Sequence, residues 1–109
     1  MQTIYLKNFG KVLVSRPAGS EAFNAIRSTL NAHEPIQINF EDVLTVTPSW
    51  FDEFLIKLAE FAQGEVVLLP TQNASLLAAL PVLIIGRNDK VTEIIQRFLK
   101  ETDEKGNSH

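Results

Sequence analysis

The sequence predicts a single α/β domain, in which a mixed sheet of four to five strands is covered by helices mainly on one face, in the element order ββαβαβαβα. Three observations indicate this class. Short β-rich runs recur between amphipathic helical segments. The segment from Ile36 to Phe40 alternates apolar and polar residues, which is typical of a strand with one buried face. The chain has 109 residues, of which 45% are hydrophobic and 21% charged, and this suits one globular core.

The chain is expected to open on a β-hairpin. Two short β-rich runs, residues 4–6 and residues 12–14, are separated by the turn-like residues 8–11. Residues 15–19 follow as a predicted loop. The hairpin would contribute an antiparallel pair to a sheet whose later strands are parallel.

The first two helices are predicted from their N-caps and apolar stripes. Ser20 is a good N-cap for a helix that ends near Ala32 or His33, because Pro35 disfavours helical backbone at Glu34. Thr47 caps the second helix, and Pro48 occupies its first position, where a missing N–H costs nothing. The apolar residues of the second helix recur at helical spacing, at Phe51, Phe54, Leu55, Leu58, Phe61 and Ala62.

The second half of the chain is predicted to add two more strands. A β-rich run at residues 66–69 indicates a buried strand, and a short helix follows from Asn73 or Ser75 through Leu80. Residues 81–85 are predicted as the last strand, although a helix that continues through this segment also fits the apolar pattern.

A final helix and a tail complete the predicted organisation. Asp89 is expected to cap the last helix, which carries a regular apolar stripe. Residues 102–109 contain no large apolar side chain, so ordering them would not be repaid by burial. We therefore predict one domain over residues 1–101 and a disordered tail over residues 102–109.

The composition argues against several classes of protein. The net charge is −3 and the basic residues are spread along the chain, so we expect no nucleic-acid binding. The chain has no cysteine, which excludes disulfides and thiolate chemistry and fits a reducing compartment. Its most apolar window, residues 74–85, is shorter than the ~20 residues of a membrane span. The first residues lack the features of a signal peptide, so we expect a cytoplasmic protein.

Two segments resemble the STAS-like family of small bacterial domains, which is related in fold to the anti-sigma-factor antagonists. The first segment is residues 10–19, GKVLVSRPAG, and the second combines residues 38–43, INFEDV, with residues 47–54, TPSWFDEF. The likeness covers roughly residues 10–70 and reaches the rest of the chain by element order. The resemblance implies a regulatory protein–protein interaction domain with no catalytic activity and no cofactor.

The resemblance also implies a switch and a partner. In the anti-sigma-factor antagonists, a partner kinase phosphorylates a serine between a strand and a helix, and the phosphate controls docking. By position that serine falls at Ser49, with Thr47 as the alternative. Pro48 and Trp50 flank Ser49 here, where the antagonists carry small residues. The partner implied is a cytoplasmic signalling protein, for example a histidine-kinase-like ATPase.

Trp50 is the expected anchor of the partner-binding surface. It lies outside the inner stripe that begins at Phe51, and an exposed tryptophan at a helix start is a typical interface hot spot. The alternative is that Trp50 packs under the neighbouring loop. Pro48 belongs to the same expected surface.

Asp52 and Arg16 complete the expected partner-binding residues. Asp52 and Glu53 point about 100° apart on a helix, which makes them partners of the helix dipole rather than a metal or acid–base pair. Arg16 would hold a phosphate or a carboxylate, or would pair with Glu21 or Asp42. No catalytic or metal-binding residue is predicted, because the motifs of the common phosphate-binding, nucleophilic and zinc sites are absent from the sequence.

Two other functions remain open from the sequence. A small-ligand sensor would bind at the carboxyl ends of the strands, in the loops after Phe40 and Leu69. A homodimeric structural protein would associate through an exposed Trp50, through Ile56 or through the edge of the hairpin.

Overall fold

The computed structural model describes the backbone of residues 1–106 and the side chains of residues 1–102, and this part of the chain has the predicted α/β class. Its strands are β1 (Gln2–Tyr5), β2 (Val12–Leu13), β3 (Ile36–Asn39), β4 (Thr45–Val46) and β5 (Val66–Leu68). Its helices are α1 (Arg16–Ile26), α2 (Pro48–Phe61), α3 (Ala74–Leu83) and α4 (Lys90–Gly106). Two short 3-10 helices, Leu6–Phe9 and Arg27–Thr29, follow β1 and α1.

The strands form two parallel sheets instead of one mixed sheet. The larger sheet has the order β1–β3–β5, with Ile4 opposite Ile38 and Ile38 opposite Leu68. The smaller sheet pairs β2 with β4, and Leu13 lies opposite Val46. The largest sheet therefore has three strands, fewer than the four to five predicted.

The predicted opening hairpin is wrong. β1 pairs with β3 and β2 pairs with β4, both in parallel, so the first two strands never meet. Leu6 does not extend the first strand; it starts a 3-10 helix and is fully buried. Gly10, with a φ of 126°, then redirects the chain into β2. Both strands therefore pair with a strand that follows α1 in the sequence.

Helix α1 begins earlier than predicted, because its N-cap is Ser15 instead of Ser20 and its first residue is Arg16. The N-cap is Ser15, whose side chain accepts a hydrogen bond from the N–H of Ala18 at 3.3 Å. Pro17 fits the first turn, because its fixed φ is helical and its missing N–H would have no partner there. Residues 15–19 are therefore the start of a helix and not a loop. The α-helix also ends earlier than predicted, at Ile26.

Helix α2 and strand β5 confirm their predictions. The hydroxyl of Thr47 accepts a hydrogen bond from the N–H of Trp50 at 3.4 Å, and Pro48 is the first helical residue. Strand β5 spans Val66–Leu68, within the predicted residues 66–69.

The predicted strand at residues 81–85 is wrong. Helix α3 is capped by Asn73, as one prediction had it, and continues through Pro81 to Leu83. Proline removes one helical hydrogen bond, but Leu80 and Leu83 on this last turn are buried in the core. Their burial holds the turn helical, so the alternative of a continuing helix is the correct one.

Helix α4 is capped by Asp89, as predicted. One oxygen of its side chain accepts hydrogen bonds from the N–H and the hydroxyl of Thr92, both at 2.9 Å. The helix continues to Gly106, past the point where the tail is predicted to begin. Residues 107–109 of the predicted tail lie outside the described residues. Among the described helices, none combines the length and the apolar character needed to cross a membrane.

The two faces of the larger sheet differ in burial. One face carries the buried side chains of Ile4, Ile36, Ile38, Val66 and Leu68. The opposite face carries the half-buried Thr3, Gln37 and Asn39 and the exposed Tyr5. The alternation predicted for β3 is therefore real, and the core lies on one side of the sheet.

Candidate functional site

The candidate site is the first turn of helix α2, residues Thr47–Glu53, which we call the α2 start. Its cap residue is tied to β2, because the N–H of Thr47 donates to the carbonyl of Leu13 at 2.9 Å. The preceding strand is tied to α3, because the N–H of Val46 donates to the hydroxyl of Ser75 at 3.0 Å. The α2 start is therefore fixed at the junction of the smaller sheet and two helices.

Ser49 and Pro48 lie at the accessible end of the α2 start. Pro48 is exposed, while Ser49 and Thr47 are half-buried. The hydroxyls of Thr47 and Ser49 are 3.4 Å apart. The hydroxyl of Thr47 is engaged in the helix cap. Of the two predicted switch residues, Ser49 therefore has the more available hydroxyl.

The prediction that Trp50 is exposed is wrong. Trp50 is only 2% exposed and stacks on Phe54, with ring centroids 5.1 Å apart and planes 9° apart. Phe9 lies against the same two rings, at 6.1 Å from Trp50 and 5.8 Å from Phe54. Trp50 is thus a packing residue, and the alternative of packing under a neighbouring segment is correct. Ile56 is half-buried and also packs against the core.

Gly19 explains why Trp50 is covered. A Cβ atom at Gly19 would collide with the backbone carbonyl of Trp50, so only glycine allows α1 to approach the α2 start this closely. Phe9, at the end of the first 3-10 helix, packs against the Trp50 ring, and α1 packs against the Trp50 backbone. Trp50 is therefore covered although it lies outside the apolar stripe of α2.

Asp52 is buried and lies between two arginines. Its carboxylate is 3.0 Å from Arg16 and 2.5 Å from Arg87. Arg16 also lies 3.3 Å from Glu53, and Arg87 lies 2.9 Å from Asp89. The predicted partner-binding residues Arg16 and Asp52 therefore bind each other. The network joins α1, α2 and the connection between α3 and α4.

Arg16 does not make the pairs predicted for it. Its partners are Asp52 and Glu53, not Glu21 or Asp42. Asp42 instead lies 3.6 Å from Lys7 and has a φ of 63°. The reason is the early start of α1, which places Arg16 in a helical first turn beside α2 rather than in a loop.

Sequence reasoning missed Arg87. It is separated from Asp52 by 35 residues, and it lies where a strand was predicted to end. No local pattern predicts such a pair. The one available signal was a charged residue close to the cap of α4, at Asp89.

The network shifts the pKa values of Arg16, Arg87 and Asp89 in the directions that keep them charged. The hydrogen bond that Arg16 donates to the carboxylate of Asp52 raises the pKa of Arg16. Burial opposes the charged form of Arg87, but its hydrogen bonds to Asp52 and Asp89 outweigh burial and raise its pKa. The backbone N–H of Thr92 lowers the pKa of Asp89, and Arg87 adds to this effect. All three shifts therefore favour the charged forms of Arg16, Arg87 and Asp89.

The loops predicted for a small ligand border separate cavities. The loop after Leu69 borders a cavity of about 390 Å³, lined by Leu68, Pro70, Thr71, Gln72, Phe98, Glu101 and Thr102. The loop after Phe40 borders a different depression of about 480 Å³, lined by Lys7, Asn8, Lys11, Asp42 and Leu44. The two loops thus do not form one crevice. Among the side chains that the structure describes, no three His, Cys, Asp or Glu residues are placed to hold a metal ion together.

No family model, no curated protein and no solved structure matches this chain. The resemblance to the STAS-like family, drawn from residues 10–19, 38–43 and 47–54, therefore stays a prediction from the sequence. The site is therefore interpreted from its own geometry.

Proposed function

We propose that this chain is a non-catalytic regulatory protein–protein interaction domain of the STAS-like type, and that its partner docks at the α2 start. The observation that carries the proposal is that the α2 start is held from three sides while its tip stays accessible. Leu13 holds Thr47, Gly19 of α1 abuts Trp50, and Arg87 holds Asp52. A surface held rigid before binding loses little entropy when a partner docks.

The proposed partner is a cytoplasmic signalling protein, for example a histidine-kinase-like ATPase. The absence of cysteine suits a reducing compartment. The accessible part of the surface combines the exposed Pro48, the half-buried Ser49 and Arg16, whose side chain is 49% exposed. An arginine at such an edge is suited to a carboxylate of the partner.

Ser49 is the proposed switch residue. It precedes Asp52 by three positions and Glu53 by four, so the three side chains share one face of α2. A phosphate would add a charge of about −1.5 to −2 beside these two carboxylates. It would compete with them for Arg16, which changes both the charge and the ion pairing of the docking surface.

The test begins with a pull-down from native lysate, using the purified chain as bait, and continues with the recovered partner in purified form. Ser49→Asp is expected to change the affinity at least tenfold, while Ser49→Ala is expected to leave it within twofold, on the scale of a charge-assisted contact. Ser28→Asp is the matched control, because Ser28 is exposed and lies on the short 3-10 helix after α1. If Ser49→Asp and Ser28→Asp bind the partner equally well, the α2 start is not the docking surface.

A small-ligand sensor is the second candidate function. It is favoured by the cavity of about 390 Å³ beside the carboxyl end of β5, a size that holds a small metabolite. A thermal scan with nucleotides and metabolites tests it, since a ligand at 100 times its Kd adds ~2.7 kcal/mol of stability. Gln72→Trp, which fills the cavity from its exposed rim, is expected to abolish the shift. A shift that survives this substitution would place the ligand elsewhere.

A further inference from the structure

The outer edge of strand β2 has free backbone groups. On its inner side, the carbonyls of Lys11 and Leu13 accept hydrogen bonds from Thr45 and Thr47, at 3.1 Å and 2.9 Å. Neighbouring residues of a strand direct their backbone groups to opposite sides, so those of Val12 and Val14 point away from β4. Outside the β2–β4 ladder, no hydrogen bond among the described residues engages the N–H or C=O of either valine. This edge can therefore pair with a further strand.

A groove runs beside this edge. Its volume is about 420 Å³, and β2 and Val14 form one wall. Ala18, Glu21 and Ala22 of α1 form the other wall. Phe9 and Trp50 also line it and are apolar. An edge strand facing a helix across an apolar groove is the arrangement in which peptides bind by adding a strand.

The exposed side chains along the groove define what it would accept. Val12 is 59% exposed and Val14 is 46% exposed, so apolar surface is available on the strand wall. Glu21 is exposed on the helix wall, and no cation within the described part of the chain lies at ion-pair distance from it. A basic side chain of a bound segment would complement Glu21.

We propose that the outer edge of β2 binds an extended segment of a partner protein as an added strand. The segment places an apolar side chain in the groove and a lysine or arginine opposite Glu21. A second copy of this chain fits the edge less well, because only two residues separate its β2 from its α1, and the helix would enter the groove with the strand. The inference rests on the proposed function, because it places the proposed partner in this groove. Trp50 belongs both to the lining of the groove and to the α2 start.

The probe is a phage-displayed library of random linear peptides, selected on the purified full chain. We expect a consensus that alternates apolar residues and includes a lysine or arginine. A synthetic consensus peptide is then titrated by calorimetry against the variants. Val14→Pro removes one outward N–H, which an edge strand tolerates, and is expected to weaken binding about tenfold. Val14→Ala keeps that N–H and is the matched control, and thermal unfolding verifies that both variants fold.

Charge reversal tests the specificity of the groove. Glu21→Lys is expected to weaken the basic peptide about tenfold and to favour a peptide whose basic residue is replaced by glutamate. Glu60→Lys is the matched control, because Glu60 is an exposed carboxylate of α2 outside the groove.

Three results would overturn the inference. The first is a consensus peptide whose affinity is the same for Val14→Pro and Val14→Ala. The second is a library that yields no consensus. The third is a dimer in sedimentation velocity that Val14→Pro dissociates, which would assign the edge to a second copy. In each case a partner that still discriminates Ser49→Asp from Ser28→Asp leaves the proposed function intact, so the two failures are distinguishable.

Discussion

Removing the charge of Asp52 is expected to destabilise the protein more than removing the charge of its neighbour Glu53. The side chain of Asp52 is 12% exposed and that of Arg87 is 23% exposed, so Asp52→Asn leaves a largely buried arginine with one partner fewer. Breaking a buried ion pair costs about 3–5 kcal/mol. Arg87 keeps Asp89, and Arg16 is half-exposed and keeps Glu53. These remaining contacts reduce the expected cost to about 2 kcal/mol.

The assay is urea unfolding at neutral pH and low salt, followed by circular dichroism, for the two single variants. About 2 kcal/mol would also lower Tm by roughly 10 °C in a domain of this size. Glu53→Gln is expected to cost less than 1 kcal/mol, because its Arg16 contact is exposed on one side. A double-mutant cycle of Asp52→Asn with Arg87→Met isolates the pair itself. The reasoning is refuted if Asp52→Asn costs as much in the Arg87→Met background as in the wild type.

Two further expectations concern helix packing and pH. Gly19→Ala is expected to destabilise the protein by about 1–3 kcal/mol, because the added methyl group meets the Trp50 carbonyl. Urea unfolding followed by tryptophan fluorescence measures this, and an unchanged midpoint would contradict the close helix contact. The pKa of Asp89 is lowered, so its ionised form stabilises the fold above the ordinary value of 3.8, and this contribution is lost as pH falls towards the folded pKa. Asp89→Asn should therefore lower the urea midpoint at neutral pH, and the difference from wild type should shrink below pH 3.8. A difference in midpoint that does not depend on pH would show that Asp89 acts only as a neutral cap.

The elements that could be predicted from the sequence are those whose signals are local. The cap at Thr47, the proline after it and the apolar stripe all lie within α2, so the helix is specified by its own residues. The same holds for Asp89 and α4. Strand β3 shows its buried face through alternation alone, because that period needs no knowledge of the partner strands.

Strand pairing could not be predicted in the same way. Two β-rich runs joined by a few residues look alike in a sequence, whether they form a hairpin or are separated by a 3-10 helix. What separates them is the burial of Leu6 and the turn at Gly10, and both depend on elements that come later in the chain. Helix α1 lies between the two strands of each pair, β1 with β3 and β2 with β4. No short segment of the sequence therefore contains both partners of a pair.

The sequence predicts several residues of the candidate site, but it does not predict which of them contact each other. Arg16 and Asp52 are predicted to face a partner, but they face each other, because the N-cap of α1 is Ser15, five residues before the predicted Ser20. Arg87 lies 35 residues from Asp52 and carries no local signal. Trp50 was judged from the stripe of its own helix, which cannot reveal a covering layer from Phe9 and α1.

The burial of Trp50 also bears on where the proposed partner would dock. Phe9 and the close approach of α1 at Gly19 together cover Trp50, which still lines the groove beside β2. The hydrogen bond from Thr47 to Leu13 joins the same strand to the cap of α2. A strand added at Val12 and Val14 would therefore be separated from Ser49 by one hydrogen bond and a short stretch of chain. A charge placed on Ser49 would act on the cap residue that holds β2, which gives the proposed switch and the proposed peptide groove a common physical link.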